Sequence, residues 1–458
     1  GWHSCPLPHV ARYQLARTDE RWNEHHHSTT YSFRRGRAPK RQQNLIKDSK
    51  AKTKRLRIDC SEDFCRSEDK ALDEQTGKDQ GVTFSSVDAA YFATYDSAFV
   101  HEEMLRDSVR CGAYHRAIEA DREFLQGSVV VDVGAGSGIL SCLCAKAGAR
   151  KVFAIEASSA AAALCRKIVC ANGFQEIVEV VEGKLEEVDL PPGVRADAIV
   201  SEWMGFFLLY ESMLDSVLVA RDRWLRTGGR IYPSYARLFL CPFCDEHWRS
   251  HRTDLLSDIC GLDFRELAPQ LAEEESSEPV IQGVDAAQLS SHAQCIAGFD
   301  LYSISATEVR KQHAHLTFLP LPDRRDSSSA VHGFAGWFEV EFKPPPKECN
   351  FLSALPLSSR FVPEGTMQND QVVDAQPEYL QSLRSIVLDT RPGMPRTCWH
   401  QTLFYLPPST DLALEPGTKL SSRISLTRPT ENPRYLRVHI ASDIEDARGS
   451  VADIGTPS

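Results

Sequence analysis

VVVDVGAGSGIL, Val129 to Leu140, runs β-branched residues into a turn with glycine at every second position. Valine suits a pleated, buried strand. Gly134, Gly136 and Gly138 let the turn bend sharply and pass close beneath a ligand at the next helix N-terminus. Working outward, SCLCAKAGA reads as a helix, KVFAIEAS as a second strand, and AAAALCRKIVCANG as a second helix ending at Gly173. IVEVVEG, ADAIVSEWMG and GGRIYPSYARLFL supply further strands, with MLDSVLVARDRWL a helix between the last two. Strands alternating with helices of about 10 to 15 residues predict an α/β fold, a parallel sheet with helices on both faces. Residues 88 to 125 precede it with apolar side chains at helical spacing and no Gly or Pro before Gly112.

Beyond Pro233 the period changes. FEVEF (338–342), RISL (423–426) and YLRVHI (435–440) alternate polar and apolar residues, as half-buried antiparallel strands do. A second, β-rich domain follows from that texture. WRSHRTDLLSDICGLDFREL (248–267) reads as a helical arm, and the Pro-rich stretch of about 344–383 is too long for a connection, so it reads as an insertion. The expected division is a basic, disordered tail over 1–80, N-terminal helices and the nucleotide-binding sheet over 81–232, the β domain over 233–446 with its arm at about 246–285, and a tail over 447–458.

The chain has 458 residues, 42% hydrophobic and 25% charged, ordinary for a globular protein. No apolar run approaches the ~20 residues of a membrane helix, so no membrane partner is expected. The CxxC of Cys241 and Cys244 lacks a second pair at zinc spacing, so no metal is expected. Charge is uneven. Residues 1 to 57 hold 14 Lys/Arg against 4 Asp/Glu, which leaves −21 on the other 401 residues out of a total of −11. Eleven of those cations lie between Arg34 and Arg57, a candidate nuclear-import or nucleic-acid-contacting run. The acidic body suits a cationic substrate better than a nucleic acid.

The glycine spacing is G-x-G-x-G, not the G-x-G-x-x-G of dinucleotide sites. Asp132 stands just ahead of it, where an acid would repel pyrophosphate but could face a ligand ammonium. Glu156 ends the second strand, where a carboxylate can accept both ribose hydroxyls. Carboxylate, glycine turn, carboxylate is the pattern for S-adenosylmethionine rather than NAD.

SEWMGFFLLYESM (201–213) places Glu202 and Glu211 at either end of an apolar segment that follows a strand, and so at the same sheet edge as the cofactor. Two carboxylates in a dry pocket can grip a guanidinium from both sides through its fork of five donors. They can align one nitrogen for displacement, and one of them can take the proton as product forms. The bland alternative is two surface acids flanking a core hairpin.

Through YFATYDSAFVHEEMLRDSVR, VVDVGAGSGILSCLCAKAGARKVFAIEAS, SEWMGFFLLYESML and TCWHQTLFYL, the chain resembles the type I protein arginine N-methyltransferases over about residues 84 to 445. HGFAGWFEVEF, VIQGV and NPRYLRV most resemble a nuclear, histone-modifying branch. The resemblance implies a Rossmann-like S-adenosylmethionine-dependent methyltransferase domain, then a β-barrel with a helical dimerisation arm. It implies a homodimer, histone tails or Gly/Arg-rich proteins as substrates, asymmetric dimethylarginine as product, and residence in the nucleus, with the cytoplasm as a second location. Carried onto this chain, Glu202 and Glu211 match the catalytic acids, and Arg110 matches the ligand of the cofactor carboxylate. His101 and Gly134 match other cofactor contacts, beside Gly136 of the same turn; Glu156 matches the ribose acceptor and Glu186 the adenine-side acid. Met104 and Met213 match the methionines that flank the arginine, and YFATY a lid over the cofactor.

One departure stands out. The family's Thr-His-Trp loop is Thr397-Cys398-Trp399 here, so Trp399 keeps its place as a residue expected to position the substrate in the cleft, while the histidine that partners the acid matching Asp107 is gone. Loss of one charge-assisted hydrogen bond costs about 1.5–3 kcal/mol. Strand alternation would put His400 on the same face as position 398 and offer a substitute. The rival reading is a catalytically weak scaffold that acts through its basic tail and dimer arm.

Overall fold

The computed structural model describes Asp88 and residues 91–321, 330–344, 386–407, 412–430 and 432–446. The basic run of 34–57, the C-terminal tail from 447 and the Pro-rich stretch, save for Pro344, lie outside the described residues.

Five strands form the first sheet: β1 (Val129–Val133), β2 (Lys151–Glu156), β3 (Val178–Glu182), β4 (Ala196–Val200) and β5 (Leu225–Tyr232). Their order is β3-β2-β1-β4-β5, and every neighbouring pair is parallel. The chain starts at the centre, moves outward to β3, then returns to β4 beside β1. That reversal opens a crevice at the carboxyl ends of β1 and β4. All five residues of β1 are buried, as expected where helices cover both faces. A fully buried valine contributes roughly 1.5–3 kcal/mol, so this apolar run anchors the core.

The helices are α1 (Ala98–Arg106), α2 (Ser108–Ala120), α3 (Arg122–Leu125), α4 (Ile139–Lys146), α5 (Ser159–Ala171) and α6 (Met213–Trp224), preceded by a short 3-10 turn at Ala93–Tyr95. Their starts are chemically marked. Asp107 accepts from the Arg110 backbone N–H, and Ser158 from that of Ala161, each cap worth about 1 kcal/mol. α4 starts at Gly138 with φ of 83°. A side chain at Gly138 would also meet the Cys165 sulfur, with its Cβ 2.6 Å from Sγ.

GGRIYPSYARLFL, read as continuous strand texture, spans two sheets. β5 ends at Tyr232, and β6 (Tyr235–Phe243) begins the second part after Pro233 and Ser234, because proline has no N–H for the ladder. The remaining strands are β7 (Val280–Gln282), β8 (Gln294–Asp300), β9 (Lys311–Phe318), β10 (Gly333–Phe342), β11 (Ile386–Asp389), β12 (Gln401–Tyr405), β13 (Thr418–Thr427) and β14 (Arg437–Asp446). They form two antiparallel sheets, β7-β12-β10-β6-β8 with β11 on β10, and β14-β13-β9. Leu316, Phe318, Phe334, Leu420 and Leu426 from both sheets share one core, so the β-rich domain the texture predicted is the barrel that the resemblance implied. Helices α7 (Glu246–Ser257) and α8 (Ala268–Ser277) form the arm after β6, and α9 (Ala306–Arg310) leads into β9.

Candidate active site

The crevice of the parallel sheet is a cleft of about 1060 Å³, mouth included, lined by the Gly-rich turn, α1, the double-acid segment and the barrel's Arg434. Its floor is set by what glycine leaves out. A Cβ on Gly134 would lie 2.4 Å from the Met213 methyl, and one on Gly136 would lie 3.5 Å from the His101 ring. Glu156, at the end of β2, accepts from the N–H of Gly136 at 2.8 Å and of Ser158 at 2.7 Å. Both oxygens are thus fixed, with lone pairs left for a ligand. Glu186 also lines the cleft and accepts from the Ser216 hydroxyl at 2.6 Å.

Glu202 and Glu211 face this same cleft. Between them the chain doubles back: Gly205 N–H donates to Leu208 O at 3.0 Å, and Phe207, Leu208, Glu211 and Ser212 all take positive φ. Non-glycine residues adopt that conformation only where their surroundings hold them. Here the Phe207 ring fills the space where Gly336 lacks a side chain, and the Trp399 indole donates to Met204 O at 2.8 Å. The apolar bulk between the acids is therefore a wedge that seats the loop on the barrel.

Each acid has its own anchor. Arg110 Nε lies 3.3 Å from Glu202 Oε2, both side chains being nearly buried, and Arg110 Nη1 donates to Met104 O at 3.1 Å. Burial raises the Glu202 carboxyl above its ordinary range, against the pull of Arg110. Burial alone would lower the Arg110 guanidinium, yet Glu202 beside it holds it above its usual value. Glu211 Oε2 accepts from the Tyr95 hydroxyl at 2.8 Å.

Four expectations need correction. Asp132 does not face the cleft. It is fully buried behind the turn, where its Oδ2 accepts from Ser141 Oγ at 2.6 Å, and burial pushes its carboxyl up to about 7. Trp399 lines no part of the cleft either; it packs edge-on against Phe338 and acts on the site through Met204. His400 is not on a strand: its φ is 46°, β12 begins one residue later, and its buried Nδ1 has no hydrogen-bond partner. Asp107 is not left without a donor at the loop: its Oδ2 accepts from the backbone N–H of Cys398 at 2.8 Å.

Sequence reading passed over Arg434. It lines the cleft, and its Nη1 donates to Glu211 O at 3.0 Å. It stands in the NPRYLRV stretch, but nothing local ties it to a partner 223 residues away in the chain.

The residues of the cleft fit S-adenosylmethionine. Arg110 offers a cation to a carboxylate, Glu156 offers acceptors to a diol, and the His101 Nδ1 beside Gly136 is a buried polar atom still without a partner. His101 Nε2 is paired with Tyr95 O at 2.9 Å, which fixes the ring.

Comparison with known proteins agrees. The chain matches the model of a methyltransferase domain over residues 130–229 and that of an arginine methyltransferase oligomerization subdomain over 234–360. A probable protein arginine N-methyltransferase 6 of Arabidopsis thaliana is 34% identical over 373 residues, covering 80% of this chain and 81% of its own. Among solved structures, Arabidopsis thaliana protein arginine methyltransferase 10, in an open conformation, is 30% identical with a TM-score of 0.62, covering 79% of this chain and 97% of that one. The Trypanosoma brucei protein arginine methyltransferase 1 enzyme–prozyme complex with AdoHcy is 28% identical with a TM-score of 0.59, covering 78% and 96%. With a shared two-part fold and identity of this extent, the chain belongs to the protein arginine N-methyltransferases.

Proposed function

We propose that this chain methylates arginine in histone tails or Gly/Arg-rich proteins, with Glu202 and Glu211 holding the guanidinium and asymmetric dimethylarginine as the end product. S-adenosylmethionine, when bound, supplies a methyl group on a positively charged sulfur. A guanidinium, which stays protonated at any working pH, enters as the cation. Glu202 and Glu211 draw its charge toward two nitrogens and leave the third aligned for in-line attack. Arg110 fixes Glu202 and Tyr95 fixes Glu211, so neither acid has to reorganise as charge moves. One carboxylate takes the proton released with product. Met104 and Met213 line the same cleft and support a pocket that admits a second methyl on one nitrogen.

The observation that carries this reading is the convergence of two separately anchored carboxylates beside Glu156 and Arg110 in one cleft. Labelled S-adenosylmethionine, a histone mixture and mass spectrometry of the product test it. Symmetric dimethylarginine, or full turnover by Glu202→Gln, would end it. The scaffold reading, which acts through the basic tail and the dimer arm, is disfavoured by the anchored acids and by the donor that Asp107 keeps at Cys398.

Assembly as a homodimer is supported by two apolar patches. Leu255, Leu262, Phe264 and Leu267 are exposed on the arm, and Phe99 and Leu105 are exposed on α1. Arm to helix and helix to arm is a self-complementary contact with two-fold symmetry. For the basic run of 34–57 we assign nuclear import, on composition alone.

A further inference from the structure

We infer that Arg434 is a positioning residue for methyl transfer: it ties the cover of the cofactor cleft to Glu211, so that closing the cleft and seating the acid are one event. This rests on Glu211 acting on the substrate arginine.

Arg434 sits in the loop between β13 and β14, only 18% exposed at its side chain. Its Nε donates to Asp88 Oδ1 at 2.8 Å, and its Nη1 to Glu211 O at 3.0 Å. Its guanidinium carbon lies 3.9 Å from the centre of the Tyr91 ring. Glu211 N–H donates back to Arg434 O at 2.8 Å, and the Ser212 hydroxyl to Pro433 O. The barrel loop therefore grips the two residues of the double-acid segment whose φ values are 80° and 60°.

A second path closes the circuit. The Tyr91 ring packs edge-on against Tyr95 at 5.4 Å, and the Tyr95 hydroxyl donates to the Glu211 carboxylate. Glu211 is thus held by its main chain through Arg434 and by its side chain through Tyr95. Tyr91 touches both holders, and Tyr91, Phe92 and Tyr95 line the cleft. Lys184, across the cleft, adds a 2.8 Å pair to the other oxygen of Asp88. Burial would raise the Asp88 carboxyl, but Lys184 and Arg434 hold it below its ordinary range. Arginine alone offers forked donors and a flat face at once; lysine, a point charge, could serve only one of these partners.

The test is steady-state kinetics of the full chain with S-adenosylmethionine and a Gly/Arg-rich peptide. Arg434→Gln should lower kcat roughly ten- to hundredfold, as small misplacements of a reacting group do. It should also raise the KM for S-adenosylmethionine about threefold or more. Arg434→Lys should recover only part of each loss. Asp88→Asn should raise the same KM and lower kcat less, and adding it to Arg434→Gln should change either constant by no more than about twofold, because coupled residues are non-additive. An Arg434 that merely stabilised the fold would lower melting temperature and active fraction, leave KM alone and add to Asp88→Asn; that pattern overturns the inference, as does an Arg434→Lys equal to wild type. Should Arg434→Gln not fold, Arg434→Lys and Asp88→Asn complete the same cycle. Full turnover by Glu211→Gln would sink the catalytic reading itself. A dead Glu211→Gln beside an Arg434→Gln of normal kcat and KM sinks only the coupling.

Discussion

Glu202 shares its buried place with Arg110, and burial works against its ionisation. An acid whose folded pKa is raised keeps its proton to higher pH. Its grip on a cation is therefore lost as pH falls through that raised value. The substrate guanidinium stays charged throughout, so it adds no limb of its own. The acid limb of kcat/KM, which reports the free enzyme, should lie above the ~4.3 of an ordinary glutamate. A pH profile with its acid limb at or below that value would contradict the assignment. Asp107 gives a second contrast at this scale. It caps α2 and also accepts from the Cys398 backbone. Asp107→Ala should cost about 2 kcal/mol and lower kcat, because the helix it caps carries Arg110. Cys398→Ala should stay within about 1 kcal/mol of wild type, since the donor is main chain. Urea melts of the two variants decide it, and equal losses would show that the thiol matters.

At the scale of elements, the double-acid loop depends on a bare Cα. A Cβ on Gly205 would lie 1.8 Å from the Tyr210 carbonyl oxygen, a backbone atom that cannot swing aside. Gly205→Ala should therefore open the loop, destabilise by about 3 kcal/mol and lose turnover. A variant that melts and turns over like wild type would show that the loop closes some other way. The parallel sheet was legible in the sequence because buried strands and their helices carry their own period. So were Glu202, Glu211 and Glu156 as members of one cleft, since strand ends deliver side chains to one edge. What escaped were contacts set by packing between distant segments. The 397–400 stretch looked like strand but turns, with His400 at positive φ, because the Trp399 indole and the Cys398 N–H reach for Met204 and Asp107. Asp132 looked like a ligand because it precedes the glycine turn, yet its side chain points into the core toward Ser141.

Over the whole molecule, the two folded parts meet at the site rather than beside it. Arg434 and Pro433 come from the barrel, Glu211 and Ser212 from the sheet side, and Asp88 and Tyr91 from the chain that covers the cleft. Anything that steadies the barrel against the sheet should therefore steady catalysis. The arm is the part placed to do this in an assembly. It leaves the barrel after β6 and carries Leu262, 61% exposed, and Phe264, 43% exposed, while Phe99 on α1 is 67% exposed. Apolar side chains this open on an arm and on a helix next to the cleft suit burial by a second copy. Replacing Leu262 and Phe264 together with Asp puts charge where that contact needs apolar surface. The double variant should sediment as a monomer with an unchanged far-ultraviolet dichroism spectrum, because both side chains are exposed on the arm, outside the core of the two sheets. Its kcat should fall about tenfold or more, since α1 carries His101 and Met104 into the cleft and would lose its outer support. Sedimentation velocity and turnover on the same sample read the two effects together. A monomer with full activity would separate assembly from catalysis, and an intact dimer would move the interface elsewhere.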